Sequence, residues 1–340
     1  MKLEIHSQPD LFTELAPEWN KLVERSTANQ IFNTWEWQST WWQAYQPGDL
    51  WVITCRTDAD QLIGLAPWFI GTTEDQKRFV ATIGCKEVTD YLDLIVDADH
   101  VDAVLDQFAG FLAENHDRFD EIQLCNISEH SISHSNFPSA LEKHGFTTEL
   151  EPEDVCPVVE LPESWSDYLA MLDKKQRHEL RRKFRRAHGE NSGIDWYIVG
   201  QDDDIEEAMQ QFLELMASSD PDKARFLSDP QNVTFFKSIA AVMQQCGWLH
   251  LCFLTVEGER AAAYFNFDYN QQILVYNSGL NPESHGHLSP GIVLLAFIIQ
   301  HAIETKHRVF DFLQGNETYK YHMGGKDIAV LNLNARYTGN

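Results

Sequence analysis

The chain has 340 residues, 43% of them hydrophobic and ten of them tryptophan, which is enough for two globular domains with sizeable cores. Its formal charge of −26, from 52 acidic and 26 basic residues, argues against nucleic-acid binding over a broad surface, because a phosphate backbone would be repelled. No apolar run reaches the roughly 18 residues of a transmembrane helix, and Met1-Lys2-Leu3-Glu4 does not open a secretory signal, so a cytoplasmic protein without a membrane span is expected.

The six cysteines are scattered through apolar runs with no Cys-x-x-Cys pair, so reduced, buried thiols are expected. From Leu11 to Arg25 the apolar residues recur at helical spacing and predict an opening helix. A second helix carries WEWQSTWWQAY, whose tryptophans suit either a large core or a substrate groove. Trp51–Arg56 and Leu62–Ile70 read as a hairpin, followed by strands at Phe79–Ile83 and Tyr91–Val96, a helix at Val101–Glu114, a strand at Glu121–Cys125 and a short helix at Pro138–His144. The acidic stretch Glu149–Asp154 is expected to close this first module, giving domains at 1–155 and 156–340.

The second half repeats the plan. Helices are expected at Trp165–His188, Ile205–Ser218 and Val233–Cys246, then strands at Leu249–Val256, Ala261–Tyr269 and Ile273–Ser278. The hairpins WVITCRTDADQLIGLAPWFI and LHLCFLTVEGERAAAYFNFDY share an apolar strand, an acidic turn and a returning strand, which suggests duplication.

After the polar loop Gly279–Leu288, Ser289-Pro290-Gly291 has the form of a helix start: a capping serine, a proline where no N–H is needed, and a glycine that leaves the first turn open. A phosphate could approach the free N–H groups there, at the positive end of the helix dipole. The helix that follows is apolar on every face and should be buried against a sheet. The strand Val309–Phe312 then ends in Asp311, Gln314, Gly315 and Asn316, and ligands of open α/β sheets gather at such strand ends. A last strand is expected at Ala329–Arg336.

Taken together, the order of hairpin, strand, glycine-containing turn, helix and strand resembles the GNAT acyltransferase fold. The pieces SPG, FDFLQGNETYK and KKQRHELRRKFRR resemble its BioF/CelD-like branch, related to the Fem-type tandem-GNAT transferases. The resemblance is good over roughly residues 160 to 330 and extends to the first half only as a plan. It implies an α/β fold of two tandem GNAT-like modules, mixed sheets flanked by helices, with the first degenerate. It also implies an acetyl-CoA or other acyl-CoA cofactor, with its pyrophosphate on the turn that here reads His287-Leu288-Ser289-Pro290-Gly291-Ile292. That turn departs from the usual GNAT pattern of arginine or glutamine followed by spaced glycines. Ser278, Ser289, Gly291 and Ile292 are the expected cofactor-binding residues at the splayed strand and the turn.

Acyl transfer from a thioester to an amine needs a proton acceptor, an oxyanion donor and an acid for the leaving thiolate. Asp311 and Glu317 are candidate bases, Tyr319 is the candidate acid by family analogy, and Lys320 is a candidate for holding a carboxylate or polarising the carbonyl. Asp311 also has a structural alternative as the cap of the following turn, and Lys320 as its ion-pair partner. No nucleophile elbow, zinc-protease motif or Walker loop is present, and His285 and His287 carry too little for a metal site.

The sharpest compositional anomaly is Lys174–Arg186, where Lys174, Lys175, Arg177, Arg181, Arg182, Lys183, Arg185 and Arg186 stand beside an apolar stripe of Leu169, Leu172, Leu180, Phe184 and Ala187. This helix is either solvated or placed, through Arg181 and Arg182, against a phosphate-bearing cofactor or anionic acceptor. The expected function is N-acyl transfer from acyl-CoA to a small or cell-envelope-related amine by direct transfer. Fem-type aminoacyl transfer from a charged tRNA and a non-catalytic anion-binding module are the alternatives.

Overall fold

Strands and helices follow the sequence periodicities in a computed structural model that describes residues 1–340 apart from 86, 87, 188, 190–192, 283, 284 and 340. His188, at one expected helix end, and Glu283 and Ser284 of the expected loop lie outside the described residues. The chain divides into one unit of residues 1–155 with 328–340 and another of residues 156–327. The final strand, Lys326–Tyr337, therefore contributes to the first unit, not to the second as expected.

The first unit comprises β1 (Lys2–His6), α1 (Leu11–Arg25), α2 (Trp35–Tyr45), β2 (Gly48–Leu50), β3 (Val52–Arg56), β4 (Leu62–Ala66), β5 (Trp68–Thr72), β6 (Arg78–Thr82), β7 (Ile95–Val96), α3 (Val101–Glu114), β8 (Glu121–Ser128), α4 (Ile132–Ser135), α5 (Phe137–Lys143) and the start of β9 (Phe146–Glu160). Pro67, which lacks an N–H for the ladder, divides the expected single strand 62–70 in two. β4 then joins a sheet of order β1-β3-β4-β7, while β5 pairs with β6 in a second sheet. β6 and β8 pair in parallel across α3, with Phe79 opposite Glu121.

Trp19, Trp37, Trp41, Trp51 and Trp68 are fully buried, so most of the aromatic cluster is core. Acidic Glu149–Asp154 lies inside β9. Glu149, Glu151 and Glu153 are exposed, and Glu151 and Glu153 accept from Asn334 and Asn332. Cys85 and Cys125, with Cα atoms 5.7 Å apart, form a disulfide, which corrects the expectation of reduced thiols throughout. Spacing alone gave no sign of this pair, because the residues are 40 positions apart.

The second unit adds α6 (Trp165–Met171), α7 (Lys174–Ala187), β10 (Ile194–Ile198), α8 (Ile205–Ser219), α9 (Pro221–Phe226), α10 (Pro230–Cys246), β11 (Leu249–Val256), β12 (Glu259–Tyr269), β13 (Gln272–Leu280), α11 (Pro290–Glu304), β14 (Val309–Asp311) and α12 (Thr318–His322). The expected helix from Trp165 breaks at Leu172, whose extended backbone ends α6. Within this unit the strand order is β10-β11-β12-β13-β14, followed by the last residues of β9. Each of these pairings is antiparallel except β13 with β14.

α11 covers one face of this sheet, with every residue from Val293 to Ile299 buried, as a helix without a polar face requires. On the opposite face, Phe212 of α8 and Phe236 of α10 pack edge-on against Phe265, with ring centroids 5.4 and 5.9 Å away. Gly279 permits this layer to close: a Cβ there would lie 2.4 Å from the Met216 backbone nitrogen.

Candidate active site

The site begins where two parallel strands part. β13 and β14 pair only through Gln272–Val309, Ile273–Phe310 and Leu274–Asp311, after which β13 continues to Leu280 alone on that side. Its other edge stays paired to β12, with a bulge: Phe265 faces Asn277 but Asn266 faces Val275, leaving Tyr276 as the extra residue. A free strand edge beside a bulge offers backbone groups to an extended ligand.

The loop after β14 carries the residues singled out for catalysis. Asp311 is buried, and its Oδ1 accepts from the Leu313 backbone N–H at 2.7 Å, so it shapes the turn. Lys320 is 2% exposed, and its ammonium donates to the carbonyls of Leu313, Gln314 and Gly315 at 3.0, 2.6 and 3.1 Å. It also pairs with Glu317 Oε2 at 3.0 Å, so its donors are committed to the loop. Asp311 and Lys320 thus do not pair with each other but grip the same segment through Leu313. Gly315 is required there, at φ +111° with the Glu317 carboxylate 2.5 Å from where a Cβ would stand.

Tyr319 is half-buried beside Phe312. Burial, aided by the Glu317 carboxylate, pushes its phenol well above the ordinary tyrosine range. Tyr264 of β12, opposite Ser278, is buried in the same neighbourhood, and its phenol is raised by burial and then by Tyr319 and Glu317. Both phenols therefore stay protonated at neutral pH. Lys223 of α9 completes the group: its Nζ donates to the Ser278 carbonyl at 2.6 Å and lies 3.4 Å from the Ser278 hydroxyl. Burial holds this ammonium below the ordinary lysine pKa, against the raising pull of Glu317 and Asp220.

The turn before α11 is a short 3-10 segment, Gly286–Leu288, bracketed by His285 and Ser289, both in the left-handed region with φ 57° and 54°. Ser289 precedes the helix as expected but does not cap it with its side chain. Its left-handed backbone turns the hydroxyl elsewhere, and that hydroxyl accepts from Lys183 Nζ at 2.5 Å. Among the described residues no acceptor takes the N–H of Gly291 or Ile292, so two donors at the positive helix end remain open. A Cβ on Gly291 would meet only Leu280 Cδ2, at 3.4 Å, so the open first turn is not filled by the protein.

The basic helix α7 does reach this turn, through residues other than the two selected from sequence. Lys183 binds Ser289, and Arg186 donates to the His287 carbonyl at 2.8 Å. Arg182 instead pairs with Glu179 at 2.9 Å, and Arg181 borders a groove between α6 and α7. Ser278, Glu317, Tyr319 and Lys320 thus gather around Lys223 at one place, and Ser289, Gly291 and Ile292 form a second with Lys183. Lys223 and Tyr264 escaped the sequence reading because neither stands in a motif. Lys183 and Arg186 were visible only as members of a basic tract.

Residues 174–321 match the family described as acetyltransferase (GNAT) domain. No curated protein matches the chain. Among solved structures it is similar to FemX, at 10% identity over 98% of this chain and 97% of that one, with a TM-score of 0.67. The C-terminal domain of a putative lysylphosphatidylglycerol synthetase from Agrobacterium fabrum is similar at 13% identity, covering 96% and 92% of the two chains, with a TM-score of 0.54. A tandem GNAT protein from the clavulanic acid biosynthesis pathway matches at 12% identity over 100% of both chains, with a TM-score of 0.51. At these identities the likeness is one of fold, and it covers both units. Residues 174–321 are thus similar to the acetyltransferase (GNAT) domain family, and the chain as a whole shares its fold with FemX and with a tandem GNAT protein.

Proposed function

We propose that the protein is an N-acyltransferase that moves an acyl group directly from acyl-CoA to an amine acceptor, using the opening between β13 and β14. The observation that carries this reading is the pair of open N–H groups on Gly291 and Ile292, set beside Lys183 and Arg186 at the end of an unpaired strand edge. Open helix amides, a local positive charge in a chain of −26 and a bare glycine fit a pyrophosphate. The donor would supply an activated thioester carbonyl.

This chain's residues divide the remaining work. Glu317 accepts the amine proton, directly or through water. Tyr319, kept protonated by burial, donates to the departing thiolate. Lys320 holds the loop that carries both, and Asp311 fixes the loop's entry. Lys223, with Ser278, lies closest to where a carbonyl on the β13 edge would gather negative charge. The neighbours' names suggest acceptors related to the cell envelope, a finer reading that the same assay examines.

The decisive experiment is calorimetric titration with acetyl-CoA, CoA and longer acyl-CoAs, on the native protein and on Gly291→Val, followed by thiol-release assays on an amine panel. Binding weakened by the substitution supports the site. Absence of binding to every CoA species sinks the acyl-CoA donor, and a charged tRNA would then be the donor to assay, with RNase sensitivity as the readout.

A further inference from the structure

Between α6 and α7 lies a groove of about 260 Å³ lined by Trp165, Leu169, Arg181, Phe184 and Arg185. Its walls are aromatic and aliphatic: the Trp165 and Phe184 rings lie 5.2 Å apart, and Phe184 rests 5.0 Å from Phe297 of α11. Arg181 and Arg185 stand at its rim, one helical turn apart and exposed, with no hydrogen-bond or ion-pair partner among the described residues. Lys174 and Lys175 are exposed at the start of the same helix and have no hydrogen-bond or ion-pair partner among the described residues, so cations run along most of its length, about 20 Å for 14 residues.

We propose that this face of α6 and α7 docks on an anionic phospholipid surface, with one acyl chain entering the groove and its phosphate held by Arg181 and Arg185. The inference does not depend on the acyl-transfer reading. An apolar slot with two free guanidinium groups at its mouth matches an amphiphile with a single anionic end. Cations extended along the helix match a surface of many headgroups better than one soluble ligand. A nucleic acid would satisfy the cations but has no chain to place among Trp165, Leu169 and Phe184. The acidity of the rest of the chain opposes approach only weakly once these residues face the surface, because charges more than about 8 Å away are screened at physiological salt. Each free Lys or Arg near an anionic leaflet strengthens binding roughly fivefold.

The test is co-sedimentation of the full chain with phosphatidylcholine vesicles, with and without an admixture of phosphatidylglycerol. The native protein should pellet only with the anionic vesicles, and less as salt rises. The double variant Arg181→Glu/Arg185→Glu should lose at least about tenfold in affinity. A Lys77→Glu/Lys306→Glu variant, with the same change in net charge at exposed sites elsewhere, should bind as the native protein does. Both arginines are exposed, so circular dichroism should be unchanged. Titration with dihexanoylphosphatidylglycerol below its micelle concentration should exceed glycerophosphoglycerol by more than tenfold, since each buried methylene adds about fourfold. Equal binding to neutral vesicles, an unaffected arginine variant, equal affinity for the chainless headgroup, or displacement from anionic vesicles by a short RNA duplex would each overturn the proposal.

Discussion

The ammonium of Lys223 in α9 donates to the backbone carbonyl of Ser278 in β13 at 2.6 Å, joining residues 55 positions apart at the place where β13 has lost its parallel neighbour. That contact puts a partly desolvated cation beside Glu317 and two protonated phenols. Lys223→Met is expected to lower kcat by about tenfold to a hundredfold with little change in KM, because a charge near the developing oxyanion matters more in the transition state than in the ground state. Lys223→Arg should recover part of the loss. A KM effect without a kcat effect would instead make Lys223 a binding residue.

Substitution of Gly291 tests the other half of the site. A Cβ there meets nothing closer than 3.4 Å, so Gly291→Val should leave the melting temperature within a few degrees of the native value. The same side chain would cover the open N–H groups and should weaken acyl-CoA binding by at least about tenfold. Unchanged affinity in a folded variant would place the anion elsewhere.

Some of this site was legible in the sequence and some was not, for physical reasons. Ser289-Pro290-Gly291 and the apolar helix behind it are local signals, and the helix starts and buries itself as they imply. The basic tract was equally visible, but which of its cations face the turn depends on how α7 rotates against α11, and that selected Lys183 and Arg186 over Arg181 and Arg182. Lys223 stands in a six-residue helix beyond the reach of periodicity, and its partner is fixed only by the tertiary fold. That Glu149–Asp154 lies in a strand was not legible, because an exposed acidic strand and an acidic loop have the same composition.

Tyr319→Phe removes a hydroxyl from a ring that packs near Phe312, and the ring itself remains, so stability should change by less than about 1 kcal/mol. Turnover should fall by about a hundredfold if the phenol protonates the departing thiolate, with the affinity for acyl-CoA held. The loss should shrink for thioesters whose thiol is more acidic, since these need less help in leaving. An equal loss for every leaving group would remove the assignment.

Lys320→Met bears on stability rather than chemistry. Three carbonyls, of Leu313, Gln314 and Gly315, would lose their common donor, and Glu317 its partner. Because Lys320 is 2% exposed, no water replaces the ammonium without rearrangement, and a loss of about 3 kcal/mol is expected in urea unfolding. Activity should fall with it, since the loop carries Glu317 and Tyr319. A variant as stable as the native protein would mean the loop holds its shape without the clamp.

His250 gives the pH dependence a definite sign. Its ring is buried between β11 and α11, with Nδ1 3.3 Å from the Cys252 sulfur and Nε2 buried without a partner among the described residues. Burial, with a smaller push from His301, lowers its pKa from 6.5 to about 4. Between those values the unfolded chain binds a proton that the folded one refuses, so stability should fall as pH drops from 6.5 to about 4 and change no further below. The span corresponds to about 3 kcal/mol at most. Urea unfolding of the native protein and of His250→Gln at pH 7 and pH 4.5 isolates this contribution. The native protein should lose more stability than the variant over that interval, and parallel losses would mean that His250 titrates alike in both states.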